Sequence, residues 1–259
     1  MVVTTAHGAG PDAKAEGLRL AARLDAVFAP RDGRSLEDLL AEHGAAGALV
    51  VGSRRVSLFF GEQQFFFHPG TAALRINNLL AGKPDQMIQA MDLQPGDKVL
   101  DCTLGLGADA VVASFVVGSR GRVVGVERVA AVAAVVEHGL RHYCVKANPR
   151  LEEALRRIEV VTADHLDYLR GAPVRSFDVV YFDPFFRTPL QGGDQIKPLR
   201  ALGSRMPLSK EAVVKALRVA RRRVVVKERR GSAEFVRLGF KTVSGGRYAR
   251  VAYGVIEIE

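Results

Sequence analysis

The feature that most constrains the fold is an alternation, from residue 98 onward, of continuous apolar runs with helix-length segments. Unbroken apolarity within a run indicates a strand covered on both faces of a sheet. Strands that alternate with helices indicate a parallel, doubly wound α/β sheet. The runs are KVLDC, RVVGVE, RIEVVTAD, FDVVYFD and RRVVVKE at residues 98–102, 122–127, 157–164, 177–183 and 222–228, and the helical segments are Ala108–Val117, Ala130–His142 and Ser209–Arg221.

The last two apolar segments predict a change of strand direction at the end of the sheet. Phe240–Val243 and Arg247–Ile258 are joined only by the sequence Ser-Gly-Gly. A link of this length permits a hairpin but not the crossover that parallel strands need. We therefore expect a mostly parallel, Rossmann-like sheet with an antiparallel last strand.

Residues 1–67 predict a small α/β appendage in front of a main domain at residues 68–259. After a polar, glycine-containing start, the pattern predicts helices at Ala13–Leu24 and Leu36–His43. A further helix over residues 68–82 is expected to open the main domain. Short runs rich in Val and Phe predict the strands of the appendage, namely Ala48–Val51, Val56–Phe60 and Gln64–Phe67.

Acidic residues stand at the ends of four predicted strands. In a doubly wound sheet the ligand binds at the carboxyl ends of the central strands, so these positions are the first candidates for a binding site. Glycines after the first strand allow a tight turn into the next helix, whose first N–H groups are unpaired. The candidates are Asp101 with Thr103, Gly105, Gly107, Ala108 and Asp109; Glu127 with Arg128; Asp164 with His165; and Asp183 with Pro184, Phe185 and Phe186.

Several of these residues have alternative interpretations. The sequence from Gly105 fits the relaxed dinucleotide pattern GxGxxA, and Glu127 follows Gly107 by twenty residues. A nicotinamide-dependent oxidoreductase is therefore one alternative, although such an enzyme has no use for Asp-Pro-Phe-Phe after the fourth strand. Asp164 could simply cap a helix, and the two phenylalanines could belong to the core.

Five segments together resemble the RsmJ-type family of small-subunit ribosomal RNA guanine-N2 methyltransferases, which have the class I methyltransferase fold. The similarity in order and spacing runs from Leu93 to the C-terminus, and the preceding residues look closer to an uncharacterised Gram-positive branch of the superfamily. This chain has Asp-Pro-Phe-Phe where the family typically has Asp-Pro-Met-Phe. The segments are DCTLGLGADA, VVGVERVAAVAAVVEHGL, VVYFDPFF, RRVVVKERR and GGRYARVAYG.

The resemblance implies S-adenosylmethionine as the methyl donor and guanine N2 of 16S rRNA as the target. His68 and Arg75 are expected to line the donor pocket, with a surface helix cap as the alternative. By the resemblance the cofactor contacts Ala108, Asp109, Glu127, Arg128, Asp164, His165 and Asp183, and the first strand end adds Asp101, Thr103, Gly105 and Gly107.

The Asp-Pro-Phe-Phe sequence carries the expected chemistry of the target site. Methyl transfer to an exocyclic amine requires a nitrogen lone pair that points at the methyl carbon and not into the ring. We expect Asp183 and the carbonyl of Pro184 to accept the amine N–H groups, and Phe185 or Phe186 to stack on a flipped base. Because this logic serves any planar amine, adenine N6 and a protein amide stay open as substrates.

The positive charge is confined to the C-terminal part of the chain. The formal net charge is +9, but residues 215–250 contain twelve Lys and Arg against Glu228 and Glu234, so this segment carries +10 and the rest −1. Such asymmetry predicts a face that binds RNA, with Lys227 as a residue that could line the site instead. A non-catalytic RNA-binding protein with this fold is a further alternative.

Composition argues against several other classes. The 259-residue chain is 48% hydrophobic, as globular proteins are. Its two cysteines, Cys102 and Cys144, match neither a disulfide scaffold nor a zinc site, and no metal is expected. Without an apolar run of roughly 18 residues or a signal-peptide pattern, we expect no membrane contact and a cytoplasmic location. The oligomeric state is left open.

Overall fold

The computed structural model describes residues 1–145, 148–184, 207–246 and 249–259. The chain divides into two compact units. The first contains Met1–His68 together with Val129–Cys144, and the second contains Pro69–Arg128 and the described residues from Val145 onward. The helix predicted at residues 130–142 thus groups with the N-terminal residues, while the domain boundary before residue 68 stays a prediction.

The first unit combines a five-stranded sheet with helices. The strands are β1 (Val2–Thr5), β2 (Val27–Phe28), β3 (Gly47–Val51), β4 (Val56–Phe60) and β5 (Gln63–Phe66), and the helices are α1 (Pro11–Arg23), α2 (Leu36–Glu42) and α6 (Ala130–His142). The strand order is β2-β1-β3-β4-β5. β1 pairs in parallel with both of its neighbours, whereas β3, β4 and β5 pair antiparallel.

β1 is a strand that was not predicted within the polar, glycine-containing start. Val2, Val3 and Thr4 are buried in this strand, which lies between β2 and β3. All three residues are β-branched, a side-chain type that packs well in strands. The strand is short and runs into glycines within a few residues, so its sequence lacks the length that made the later strands predictable.

The second unit is built on a seven-stranded sheet. Its strands are β6 (Lys98–Asp101), β7 (Arg122–Glu127), β8 (Ile158–Thr162), β9 (Phe177–Phe182), β10 (Ala220–Arg229), β11 (Thr242–Ser244) and β12 (Val251–Glu257). The order is β11-β12-β10-β9-β6-β7-β8. All pairs from β10 to β8 are parallel, and β12 is antiparallel to both β10 and β11. The predicted Rossmann-like sheet with an antiparallel final strand is confirmed.

Helices pack on both faces of this sheet, as its continuously apolar strands require. Strand residues such as Leu100, Val180 and Phe182 are fully buried, and each contributes roughly 2 kcal/mol through removal from water. In the described part of the chain, no helix is long and apolar enough to cross a membrane. The helices of this unit are α3 (Gly70–Leu80), α4 (Gln86–Met91), α5 (Ala108–Val117), α7 (Pro149–Arg156), α8 (His165–Gly171), α9 (Lys210–Val219) and α10 (Glu234–Leu238).

The strand order reverses between β6 and β9, which are neighbours in the sheet although β7 and β8 separate them in sequence. From β6 the chain proceeds outward through β7 to β8 and then returns to β9 on the other side. Connections that leave in opposite directions open a crevice at the carboxyl ends of the two strands, and this is where open α/β sheets bind ligands. The fold therefore places the ligand crevice beside Asp101 and Asp183.

Candidate functional site

The turn after β6 is shaped by close packing against β7. The N–H of Leu104 donates to the carbonyl of Val126 at 3.0 Å. The Leu104 side chain fills the space beside Gly125, where an added Cβ would lie only 2.5 Å from it. The turn is thus fixed by a glycine in a neighbouring strand as well as by its own glycines.

Gly107 joins this turn to α5. It has the left-handed values φ 75° and ψ 4°, which glycine adopts without the steric cost that a Cβ brings. As the N-cap residue of α5, Gly107 has no side chain that could cap the helix, so the first N–H groups of α5 are available to a ligand acceptor. Glu127, at the end of β7, reaches the same turn and accepts the N–H of Gly105 at 3.1 Å.

Asp101 is buried at the end of β6, with only 2% of its surface exposed. Its Oδ1 accepts the N–H of Thr103 at 3.0 Å. Burial raises the pKa of this carboxyl group to about 8 despite that hydrogen bond, and the charges of Asp109 and Asp183 act in the same direction. Burial therefore favours the protonated form of Asp101.

Thr103 links the ends of the two central strands. Its backbone N–H donates to Asp101, while its Oγ1 accepts the N–H of Asp183 at 2.6 Å. Asp183 follows β9 directly, so this pair of hydrogen bonds fixes the position of the Asp183 backbone, from which its carboxylate extends. The two strand ends that the sequence singled out are brought together.

Five side chains from four elements form one hydrogen-bonded group, here called the carboxylate cluster, which consists of Arg75, Asp109, Tyr181, Asp183 and Lys227. Arg75 from α3 donates to Asp109 in α5. The hydroxyl of Tyr181 donates to Asp109 Oδ2 at 2.8 Å. Lys227 Nζ in β10 donates to Asp109 Oδ2 at 3.1 Å and to Asp183 Oδ2 at 2.7 Å.

The pKa values of the two carboxyl groups of the cluster are shifted in opposite directions. Burial opposes ionisation of Asp109, but Lys227 and Arg75 outweigh it and hold its pKa well below the usual range. Burial raises the pKa of Asp183 to about 6, with Lys227 lowering it and Asp109 raising it. The side chain of Asp109 is 11% exposed, and that of Asp183 is 29% exposed. Asp183 is thus the carboxylate that a ligand can reach.

Arg75 also connects the cluster to α4. Its guanidinium group donates two hydrogen bonds to Asp85, at 2.7 and 2.9 Å. Asp85 caps α4 by accepting the N–H groups of Met87 and Ile88. Arg75 therefore bridges two acidic residues, Asp85 and Asp109. This geometry excludes the alternative that Arg75 is only a helix cap on the surface. A contact between Arg75 and the methyl donor stays a prediction.

At the third strand end, Asp164 caps a helix, which was the alternative interpretation of this residue. This residue caps α8 by accepting the N–H of Leu166 at 2.8 Å. His165 packs edge-on against Phe182, with ring centroids 5.9 Å apart. Burial lowers the pKa of His165, so a neutral ring is favoured at this end of the sheet. Capping does not prevent a ligand contact, and the predicted cofactor role of the pair stays a prediction.

Some predicted residues lie apart from the cluster or beyond the described residues. Phe185 and Phe186 lie outside the described residues, so their stacking role stays a prediction. His68 belongs to the first unit, where its ring packs edge-on against Tyr143 at a centroid distance of 5.5 Å. Arg128 is exposed directly after β7.

Tyr181 and Asp85 were missed by the sequence-based prediction. Tyr181 lies inside an apolar run, where an aromatic residue normally indicates core packing. Asp85 follows a Lys-Pro turn typical of a surface loop. The available signal was Lys227, since a lysine that interrupts the apolar run VVVKE must find a partner when it is buried.

The basic segment is not one surface. Arg221, Arg222 and Arg223 lie at the amino end of β10, opposite the crevice, and bind carboxylates or carbonyl groups of the same unit. Arg218 donates to carbonyl groups around Ala172. Three arginines lie at the carboxyl end of β10 and the facing end of β12, namely Arg229, Arg230 and Arg250.

Comparison with known proteins shows which class of protein the chain belongs to. Residues 41–243 match the model of the family described as "Putative SAM-dependent methyltransferase". The SAM-dependent methyltransferase from Neisseria gonorrhoeae has a similar structure, with a TM-score of 0.66 over 99% of this chain and 96% of that one. Its identity is 17%, so it shows the fold alone. The chain belongs to the S-adenosylmethionine-dependent methyltransferases, and the nicotinamide alternative is set aside.

Two relatives are similar to this chain in sequence. The uncharacterized protein YpiP of Bacillus subtilis is 37% identical over 257 residues, which are 99% of each chain. The ribosomal RNA small subunit methyltransferase J of Laribacter hongkongensis is 34% identical over 155 residues, covering 58% of this chain and 53% of the relative. The chain thus spans about half the length of that relative. The RsmJ-type resemblance is confirmed.

S-adenosylmethionine is the cofactor, and the described strand ends fit it. The uncapped start of α5 offers N–H donors, and Glu127 at the end of β7 offers a carboxylate. When bound, the cofactor supplies an electrophilic methyl group on a sulfonium sulfur. The individual contacts expected of Asp101, Thr103, Gly105, Gly107, Ala108, Asp109, Glu127, Arg128, Asp164, His165 and Asp183 stay predictions.

Proposed function

We propose that this chain methylates an exocyclic amine of structured RNA, namely N2 of a guanine in 16S rRNA. The observation that carries the proposal is Asp183, a partly exposed carboxylate after β9, beside the turn that follows β6. The relatives named ribosomal RNA small subunit methyltransferase J support the RNA substrate. The RsmJ-type resemblance of the Asp-Pro sequence supports guanine N2.

The residues at the end of β9 would activate the amine by orientation. The lone pair of an exocyclic nitrogen is delocalised into the base, which makes the amine a poor nucleophile. Acceptance of its two N–H groups by Asp183 and by the carbonyl of Pro184 would turn the lone pair out of the ring plane. The nitrogen gains positive charge when it is methylated, and one N–H proton then leaves along the hydrogen bond to Asp183.

Positioning of this kind supplies a large part of the rate in transfer reactions. Thr103 and Lys227 hold the Asp183 backbone and side chain, respectively. Proline adds rigidity after Asp183 because its φ is fixed, and it offers a carbonyl without a competing N–H. A mobile acceptor pair could not maintain the direction of the lone pair.

The RNA backbone would be bound near the crevice by part of the basic segment. Arg229, Arg230 and Arg250 lie at the same sheet edge as Asp183, because β9 and β10 are parallel neighbours. Phosphate contacts made here would position the RNA, while the base itself is selected in the crevice. The amino-end arginines of β10 are too far along the strand to share this role.

The test is transfer of labelled methyl groups to small-subunit rRNA from a strain that lacks this protein. We expect label in 2-methylguanosine with the wild-type chain, and loss of transfer with Asp183→Ala or Asp183→Asn. Asp178→Asn is the matched control, since Asp178 is an acid of the same strand at its amino end. Label in 6-methyladenosine or in protein would contradict the guanine assignment, and RNA binding without transfer would indicate a non-catalytic protein.

A further inference from the structure

Lys227 occupies a position where a lysine is unexpected. It lies in β10 opposite Tyr253 of β12, directly after the buried residues Val224, Val225 and Val226. Its side chain is only 21% exposed. Removing an ammonium group from water is costly unless the charge is paired. Negatively charged groups at the carboxyl ends of the strands must therefore pair with the Lys227 ammonium group.

The requirement comes from two neighbouring acids. Asp109 and Asp183 both contact the Lys227 ammonium group, at 3.1 and 2.7 Å. Carboxylates that share one site repel each other, and without a cation such a pair retains a proton. Among the described residues, Asp109 has further donors in Arg75 and Tyr181, whereas Lys227 is the side-chain donor to Asp183. Loss of Lys227 would therefore affect Asp183 more than Asp109.

We propose that Lys227 is a positioning residue for methyl transfer, which keeps Asp183 ionised and holds one carboxylate oxygen so that the other is presented to the target amine. The inference rests on the proposed function of Asp183 as the amine acceptor. A protonated carboxyl group would offer a hydroxyl donor where the amine needs an acceptor. Lys227 cannot itself be a base here, because Asp109 and Asp183 outweigh its burial and hold its pKa well above the usual range.

The other described groups around Asp183 do not replace this charge. Asp109 in α5 adds negative potential and favours protonation of Asp183. Asp101 in β6 supplies no cation, and burial raises its own pKa to about 8. The hydroxyl groups of Tyr181 in β9 and Tyr253 in β12 are neutral, since burial raises the pKa of both. Arg75 in α3 is committed to Asp85 and Asp109. Among the described residues, Lys227 is therefore the cation that holds the negative charge of Asp183.

The first test follows the Asp183 carboxyl group directly in the free protein. Carbon-13 NMR of protein labelled at the aspartate side-chain carboxyl carbon reports ionisation, and Asp183→Asn identifies the signal. Lys227→Met should raise the midpoint of this titration by at least about one pH unit, which is a tenfold change in proton affinity. Lys227→Arg should restore it, and Asp109→Asn combined with Lys227→Met should lower it again by removing the like charge.

The second test is the pH profile of methyl transfer to RNA. At pH 7 Lys227→Met should lower the rate roughly 100-fold, a loss typical of a misplaced reacting group. The part of the loss that comes from protonation of Asp183 should disappear as pH rises, because alkali ionises Asp183 without Lys227, so the loss should be larger at low pH than at high pH. Lys227→Arg should keep the wild-type profile. A uniform loss at every pH, or an unmoved titration of Asp183, would overturn the proposal.

Two controls separate the possible failures. If Lys227→Met is unfolded by circular dichroism, Lys227→Gln provides the same charge removal with a polar side chain. If the wild-type chain transfers no methyl group to RNA, the proposed function fails. The NMR titration still decides then whether Lys227 controls the charge of Asp183.

Discussion

Asp101 shows how much of this site is set by burial. The carboxyl group is enclosed at the end of β6, and its pKa is raised to about 8. In the unfolded chain the same group titrates near its ordinary value, so the folded state holds an extra proton between these two pH values. Linkage then requires that stability is full below the unfolded pKa and declines as pH rises toward 8.

This gives a prediction for Asp101→Asn. The free energy of unfolding of the wild-type chain should contain a contribution that falls by up to about 1.4 kcal/mol per pH unit between roughly pH 5 and 7.5. Asparagine has no proton to release and keeps an acceptor for the N–H of Thr103, so the variant should lack this slope. Urea unfolding at three pH values measures it, with Asp178→Asn as the control. Equal slopes for wild type and Asp101→Asn would contradict a protonated Asp101.

The sequence predicted where these acidic residues lie but not which side chains contact them. Asp101, Glu127, Asp164 and Asp183 follow apolar runs, so their place at one sheet edge could be predicted from strand patterns alone. The contact between Asp109 and Lys227 joins residues 118 positions apart. Such a contact depends on the packing of α5 against the strands, which no local pattern encodes.

Among the elements, α5 begins at a glycine in the left-handed region. Gly107→Ala should destabilise the protein by about 1 to 2 kcal/mol, because alanine is strained at this left-handed position. The variant should also bind S-adenosylmethionine more weakly, since relief of the strain displaces the turn before α5. Calorimetric titration with the cofactor and urea unfolding measure the two effects.

Gly239 provides the matched control for that substitution. It ends α10 with similar left-handed values, φ 86° and ψ 15°, and an added Cβ would meet no atom within 4 Å. Gly239→Ala should cost similar stability without changing cofactor affinity. Equal cofactor affinities for both variants would show that the turn before α5 does not shape the cofactor site.

The elements of the second unit could be predicted to different degrees. The bounds of β7, α5 and α6 coincide with the predicted segments because each has a continuous apolar run or a long amphipathic face. The pattern did not predict α7, α8 or α10, which have only five to eight residues. Helices of that length depend on tertiary contacts and caps more than on their own propensity.

In the whole molecule, the basic residues of segment 215–250 do not lie on one surface. We expect the carboxyl-end arginines, and not the segment as a whole, to bind phosphate. Replacing Arg229, Arg230 and Arg250 with glutamine should weaken RNA binding and reduce the dependence of log affinity on log salt by roughly 2 to 3. Fluorescence anisotropy at several salt concentrations measures this slope.

The control removes three charges at the opposite edge of the same sheet. Lys98 opens β6, and Arg120 and Arg122 lie at the start of β7, all of them exposed. Arg122 pairs with Glu159 in an exposed ion pair, which contributes little to stability. Substitution of these three residues by glutamine should leave the salt dependence almost unchanged. An equal effect of both triple variants would indicate diffuse charge attraction without a defined docking edge.

We propose that this chain places the methyl group on guanine N2 of 16S rRNA through Asp183. The most direct measurement is nucleoside mass spectrometry of 16S rRNA from three strains: one that encodes the chain, one that lacks it, and one that encodes only Asp183→Asn. We expect 2-methylguanosine in 16S rRNA to be lower in the strain without the chain and equally low with Asp183→Asn. An unchanged level of 2-methylguanosine across all three strains would contradict it.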